Sequence, residues 1–113
     1  MSIHASVTFF EGGGRLVYAD VDERGALTIT DNRYEGGRER ERELSFDAYE
    51  AVALAALVGG RDVQRGLEIL GAMYEGDAEA LERVAAIARR HDLRGELRER
   101  SDGGWGADGE AAA

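Results

Sequence analysis

The hydrophobic pattern of the chain changes period near Ser45, and this change limits its possible folds more than any other feature. Before Ser45 apolar residues alternate with polar ones; after it they recur every three to four positions. A period of two lays side chains on the two faces of a strand, and a period near 3.6 lays them along one face of a helix. Strands in one half and helices in the other read as an α+β domain.

In "IHASVTFF", Ile3, Ala5, Val7 and Phe9 share one face, and His4, Ser6, Thr8 and Phe10 the other. "EGGG" turns the chain into "RLVYADV", where Val17, Ala19 and Val21 oppose Leu16, Tyr18 and Asp20. "DERG" reads as a hairpin turn closed by glycine, and "ALTITDNRY" sets Leu27 and Ile29 against Thr28 and Thr30. "YEGGR" then leads into "RERERELSF". As a helix, that stretch would stack Arg38 on Arg42 and Glu39 on Glu43, like-charge pairs that each cost about a few tenths of a kcal/mol. As a strand, it presents Arg38, Arg40 and Arg42 on one face and Glu39, Glu41 and Glu43 on the other. So much charge suits a sheet edge, where it blocks edge-to-edge association. Leu44 and Phe46 continue the arginine parity, so the arginine stems are expected to lie along apolar surface with their heads in water.

Ser45 is a candidate N-cap for a helix over about Phe46 to Val58, apolar nearly all round after Glu50 and expected to be the most buried. "GGRD" breaks it. A second helix, near Asp62 to Tyr74, carries Val63, Leu67, Leu70 and Tyr74 at helical spacing, with Gly66 and Gly71 allowing close approach to a neighbour. "EGD" caps a third, whose stripe is Leu81, Val84, Ala85 and Ala88; Arg89, Arg90 and His91 complement the dipole of its last turn. Leu93 and Leu97 prolong the pattern. The expected fold is α+β: an antiparallel meander of three to four strands over about residues 3–44, then three helices packed on one face. Residues 1–100 form one domain. "SDGGWGADGEAAA", residues 101–113, lacks periodicity and reads as a disordered C-terminal tail.

Composition narrows the function classes. The chain has no cysteine, which excludes disulfides, zinc–thiolate sites and thiol nucleophiles. Its net charge is −9, and all 14 basic residues are arginine, as high-GC coding or a high-salt cytoplasm would produce. The longest apolar run, Ala51 to Val58, is far short of the roughly 20 residues that span a bilayer. The opening "MSIHASVTFF" lacks the pattern of a signal peptide, so a cytoplasmic protein without membrane contact is expected. Acidic balance disfavours duplex DNA and anionic lipid, and favours basic partners.

No catalytic constellation stands out. Nothing pairs His4 with His91, and no residue selects a serine triad. "DVDERGALTITD" imitates a calcium loop through Asp20, Asp22, Gly25 and Asp31, but Arg24 sits where an oxygen ligand belongs, so a plain hairpin is preferred. The glycine runs match no phosphate loop. The expectation is a cofactor-free, non-enzymatic binding or regulatory protein acting through a protein–protein surface, as an inhibitor, an immunity or antitoxin-like protein, or an adaptor.

The alternative is a single-stranded nucleic-acid-binding protein. Arg33, Arg38, Arg40 and Arg42, with Tyr18, Tyr34 and Phe10, would make a cationic stacking platform. Strands followed by "LSFDAYEAV", over Leu16 to Leu57, are similar in order to the positive cofactor four family of single-stranded-DNA-binding proteins. In that family a twisted antiparallel sheet precedes a helix used in dimerisation, so the resemblance implies strand binding and a homodimer. The chain departs from it in its acidic charge, its interleaved glutamates and its two further helices. Under either reading the contact candidates are Arg33, Tyr34, Arg38, Arg40, Arg42 and Trp105, the last because exposed tryptophan is enriched at binding hot spots.

Overall fold

The computed structural model describes residues 3–101 and 104–106, with side chains described for residues 5–101. Four strands come first: β1 (Ile3–Gly12), β2 (Arg15–Asp22), β3 (Leu27–Glu35) and β4 (Arg38–Phe46). Three helices come next: α1 (Ala48–Leu57), α2 (Val63–Met73) and α3 (Ala80–Arg90). The chain then returns to the sheet as β5 (Glu96–Ser101) and β6 (Gly104–Gly106). All neighbours are antiparallel, and the six-stranded sheet runs in chain order. The expected α+β meander with helices after it is present, enlarged by two strands at its C-terminal end.

Two of the hairpins are tight. Gly13-Gly14 and Gly36-Gly37 are two-residue loops with φ of 60° and 78°, and 60° and 79°. Both residues at positive φ make the turn whose twist matches that of the flanking strands. Asp22 shapes the third: its carboxylate accepts from the amides of Arg24 at 2.8 Å and Ala26 at 3.1 Å. This is the hairpin preferred over the calcium loop.

Phe10 departs from the expected alternation. Register shifts between Thr8 and Phe10, so Phe9 and Phe10 together occupy the space opposite Val17. This is a β-bulge, which leaves one residue out of the ladder and re-aims the side chains beyond it. Phe9 is buried, and Phe10 packs against the same core instead of lying with Ser6 and Thr8.

The core lies between the sheet and the helices. Val17, Ala19 and Val21 of β2, Leu27 and Ile29 of β3, and Leu44 and Phe46 of β4 meet Ala51 and Leu54 of α1, Leu67 and Leu70 of α2, and Leu81 and Val84 of α3. The N-cap of α1 is Asp47, not Ser45. Asp47 and Glu50 form a reciprocal capping box, while Ser45 stays in β4 with its hydroxyl 3.3 Å from that of Thr28. Nor is α1 buried on all sides: Tyr49 is 84% exposed and Val52 55%. It approaches α2 at Gly66, where a methyl group would meet the Ala55 Cα at 2.7 Å and its Cβ closer still.

Helix α3 stops at His91 although Leu93 and Leu97 continue its spacing. Asp92 takes φ of 61°, the Leu93 amide donates back to Ala88 O at 2.8 Å, and the Asp92 amide donates to Arg89 O at 3.3 Å. This paired closure is a Schellman motif, and it turns the chain out of the helix. The released segment adds to β4 by matching charge. Glu41 faces Arg100, Arg42 faces Glu99, Glu43 faces Arg98, and Leu44 faces Leu97. β4 is therefore an interior strand, not the expected edge, because each of its central charges meets the opposite sign. The tail expected from Ser101 onward differs at Ser101, which ends β5, and at Gly104–Gly106, which form β6 with Trp105 opposite Arg100. Residues 102–103 and 107–113 of it lie outside the described residues.

Gly66→Ala should lower the unfolding free energy measured in urea by about 1–3 kcal/mol, the usual cost of overpacking a tight contact. An unchanged midpoint would show that α1 and α2 can separate freely.

Candidate functional site

Strand register converts the sequence into rows across the sheet. On the helix side the first row, Val7, Ala19, Ile29, Leu44 and Leu97, is apolar. The next, Phe10, Val17, Asp31, Arg42 and Glu99, becomes charged halfway across. The last, Arg15, Arg33, Arg40 and Ser101, is cationic. The core therefore gives way to a charged end within two rows.

Asp31 sits at that boundary, on the parity of Leu27 and Ile29, and its side chain is 0% exposed. Three arginines share its carboxylate. Arg15 binds both oxygens, Nε to Oδ1 at 3.1 Å and Nη2 to Oδ2 at 2.9 Å. Arg42 donates to Oδ2 at 2.8 Å, and Arg33 reaches the same oxygen at 3.4 Å. Burial alone would raise the Asp31 carboxyl, but hydrogen bonds from Arg15, Arg42 and Arg33 outweigh it and hold the group below the usual range. Carboxylates near α3 complete the cluster: Glu82 pairs with Arg42, and Glu79 lies 3.4 Å from Arg15.

The face away from the helices has the opposite character. One row is Tyr18, Thr30, Glu43 and Arg98; beside it run Asp20, Thr28, Ser45 and Glu96, and on the other side Leu16, Asn32, Glu41 and Arg100. Tyr34, opposite Glu39, is 60% exposed. The Asn32 amide donates to Glu39 at 2.9 Å and Glu41 at 2.8 Å, which holds two carboxylates side by side. Arg100 reaches the same pair at 3.4 Å and 3.2 Å. Asp20 and Glu43 are not so well compensated. Burial raises the Asp20 carboxyl, with Asp22 adding repulsion. Burial also raises Glu43; Arg98 at 3.8 Å opposes this, and Glu41 and Asp20 reinforce it.

The contact candidates divide between these surfaces. Arg33, Arg40 and Arg42 come together on the helix side, and Arg38 lies exposed on that parity at the hairpin end. Tyr34 stands on the opposite face with Tyr18. Trp105 lies in β6, its side chain outside those described. The stacking aromatics and the arginine row are thus not assembled into one platform: Phe10 is in the core, and the sheet separates the tyrosines from Arg33, Arg40 and Arg42. Sequence reading met Asp31 only as the last position of the imitated calcium loop, and did not single out Arg15 or the pairing of Arg98 and Arg100 with β4. Each left a trace. Asp31 is a carboxylate at an inward position of "LTITD", and "ELRER" read backwards is charge-complementary to "RERERE".

No group of three or more histidine, aspartate or glutamate side chains among the described residues is arranged to hold a metal ion. No helix among them is long and apolar enough to cross a membrane. Comparison with protein-family models, curated proteins and solved structures finds no match to this chain.

Asp31→Asn should cost about 3–5 kcal/mol, the penalty for stripping the partner from buried charges, read as a loss of urea midpoint with the fold retained by circular dichroism. The pH profile carries two opposite signs. Asp31, held low when folded, stabilises above its ordinary value and loses that contribution as pH falls through its folded value. Asp20 and Glu43, held high when folded, bind protons more readily in the native state, so their contribution to stability falls as pH rises from about 4 through their folded values. Asp20→Asn/Glu43→Gln should therefore melt above wild type at pH 7, with the gap closing toward pH 4. A gap constant with pH would refute the burial of these two groups.

Proposed function

We propose that this protein is a non-enzymatic binding protein that holds a basic segment of a partner protein against the face of the sheet away from its helices. One observation carries the reading. That face sets the carboxylates of Glu11, Asp20, Glu39, Glu41, Glu43 and Glu96 against the arginines Arg98 and Arg100. Burial and mutual repulsion make Asp20 and Glu43 costly to keep ionised. A fold retains such a cost where an incoming cation relieves it, and guanidinium groups pair with carboxylates through two parallel hydrogen bonds. Tyr18 and Tyr34 add aromatic surface for cationic side chains. The net charge of −9 would steer a basic partner at long range. An inhibitor, an antitoxin-like protein or an adaptor would each act this way. The nucleic-acid alternative is less favoured, because the aromatic face is the acidic one.

A fluorescent nona-arginine peptide titrated at low salt should bind with micromolar affinity that weakens as salt rises. Asp20→Asn/Glu43→Gln/Glu96→Gln should weaken it at least fivefold. The control Glu35→Gln/Glu75→Gln/Asp92→Asn removes as much charge from other surfaces and should weaken it little. Equal losses in the two triple variants would reduce the binding to net charge and sink the proposal, as would tighter binding of a thymidine oligonucleotide than of the peptide.

A further inference from the structure

On the opposite side of the sheet the arginine row has more positive charge than its carboxylates consume. Register places Arg33 directly between Arg15 and Arg40. Like charges directly opposite each other on adjacent strands are destabilising. Arg15 is compensated by its two-point contact with Asp31 and by Glu79. Arg42, one row further in, is divided between Asp31 and Glu82. Arg33 touches Asp31 only at 3.4 Å and leaves 44% of its side chain exposed. Arg40 is exposed, and its side chain makes no hydrogen bond or ion pair among the described residues. These two residues, directly opposite each other in the register, border a cavity of about 500 Å³ whose lining also includes Asp31, Arg42, Glu99 and Ser101, with Glu41 and Arg100.

We propose that this cavity binds a small molecule through one compact oxyanion, a phosphate or a carboxylate, held between Arg33 and Arg40. An anion there would turn the like-charge pair into two charge-assisted contacts, and the planar fork of each arginine suits the parallel oxygens of such a group. Ser101, the register partner of Arg40, supplies a hydroxyl on the next strand. Asp31 does not repel the ligand, since its charge is consumed by three guanidinium groups; it holds Arg42 and Arg33 in place instead. Glu99 sets the limit. It lines the same cavity, and its negative charge would repel a second anionic group, whereas Glu41 is held by Asn32 and Arg100; the rest of the ligand therefore carries hydroxyl or amine donors. The volume falls in the range of small-molecule sites, roughly 300–1,000 Å³. The cavity shares Glu41 and Arg100 with the strands of the acidic face, but the groups that would hold the anion, Arg33 and Arg40, lie on the helix side, so this proposal does not rest on the function proposed for that face.

The test is calorimetric titration of the intact protein with inorganic phosphate and, separately, with glycolate, both at ionic strength matched with sodium chloride. Saturable binding of either is expected, and the tighter of the two identifies the oxyanion. Arg40→Ala should weaken it at least tenfold, and Glu99→Gln should tighten it several-fold. In buffer free of both anions, Arg40→Ala should melt no lower than wild type, because the substitution relieves the opposed charges. The proposal is overturned if neither anion binds, if Arg40→Ala binds as well as wild type, or if Arg40→Ala melts lower without anion, which would assign Arg40 to the fold.

Discussion

The buried carboxylate of Asp31 is the interaction on which the charged half of the sheet depends. A carboxylate taken out of water carries a desolvation penalty of several kcal/mol, recovered only with well-placed partners. Here three strands contribute: β2 sends Arg15, β3 sends Arg33 and β4 sends Arg42. Those arginines could not otherwise lie so close together. Arg15 and Arg33 are directly opposed, as are Arg33 and Arg40, and without an anion among them the strands would repel where the apolar core runs out. Glu79 and Glu82 extend the arrangement to α3, so the same cluster ties the third helix to the sheet.

A second electrostatic device fixes the return of the chain. The β4–β5 pairing opposes Glu41 to Arg100, Arg42 to Glu99 and Glu43 to Arg98, and a shift of one residue would set like charges against each other all along the ladder. The alternating signs thus specify register as well as partner. They also sort charge between the faces. Because β4 alternates, its glutamates go to the face away from the helices and its arginines to the helix side. One face becomes an acidic surface with two tyrosines; the other ends in an arginine-lined cavity. Both proposed binding surfaces arise from this partition.

Much of the fold is legible locally. Period-two alternation marks β1 to β4, glycine pairs mark the two-residue hairpins, and helical stripes mark α1 to α3, because each of these signals arises from residues near one another in the chain. Phe10 escapes such reading because a bulge is a property of two paired strands. Ser45 resembles a cap because its neighbourhood is helical, while the pairing of Phe46 with Leu27 extends β4 past it and passes the capping role to Asp47.

The amino-acid sequence by itself determined the class of fold, the order of its first seven elements, the acidic character of the surface and the opposite faces of Arg38–Arg42 and Glu39–Glu43. These are set by side-chain spacing and by composition, which need no partner to be defined. The tertiary structure alone decided that β4 lies inside the sheet, that Asp31 is buried among three arginines, and that Arg33 stands opposite Arg40. Each of these depends on which strand lies beside which. The partner that makes β4 interior comes 57 residues later in the chain (Arg42 pairs with Glu99), a separation across which local periodicity carries no information.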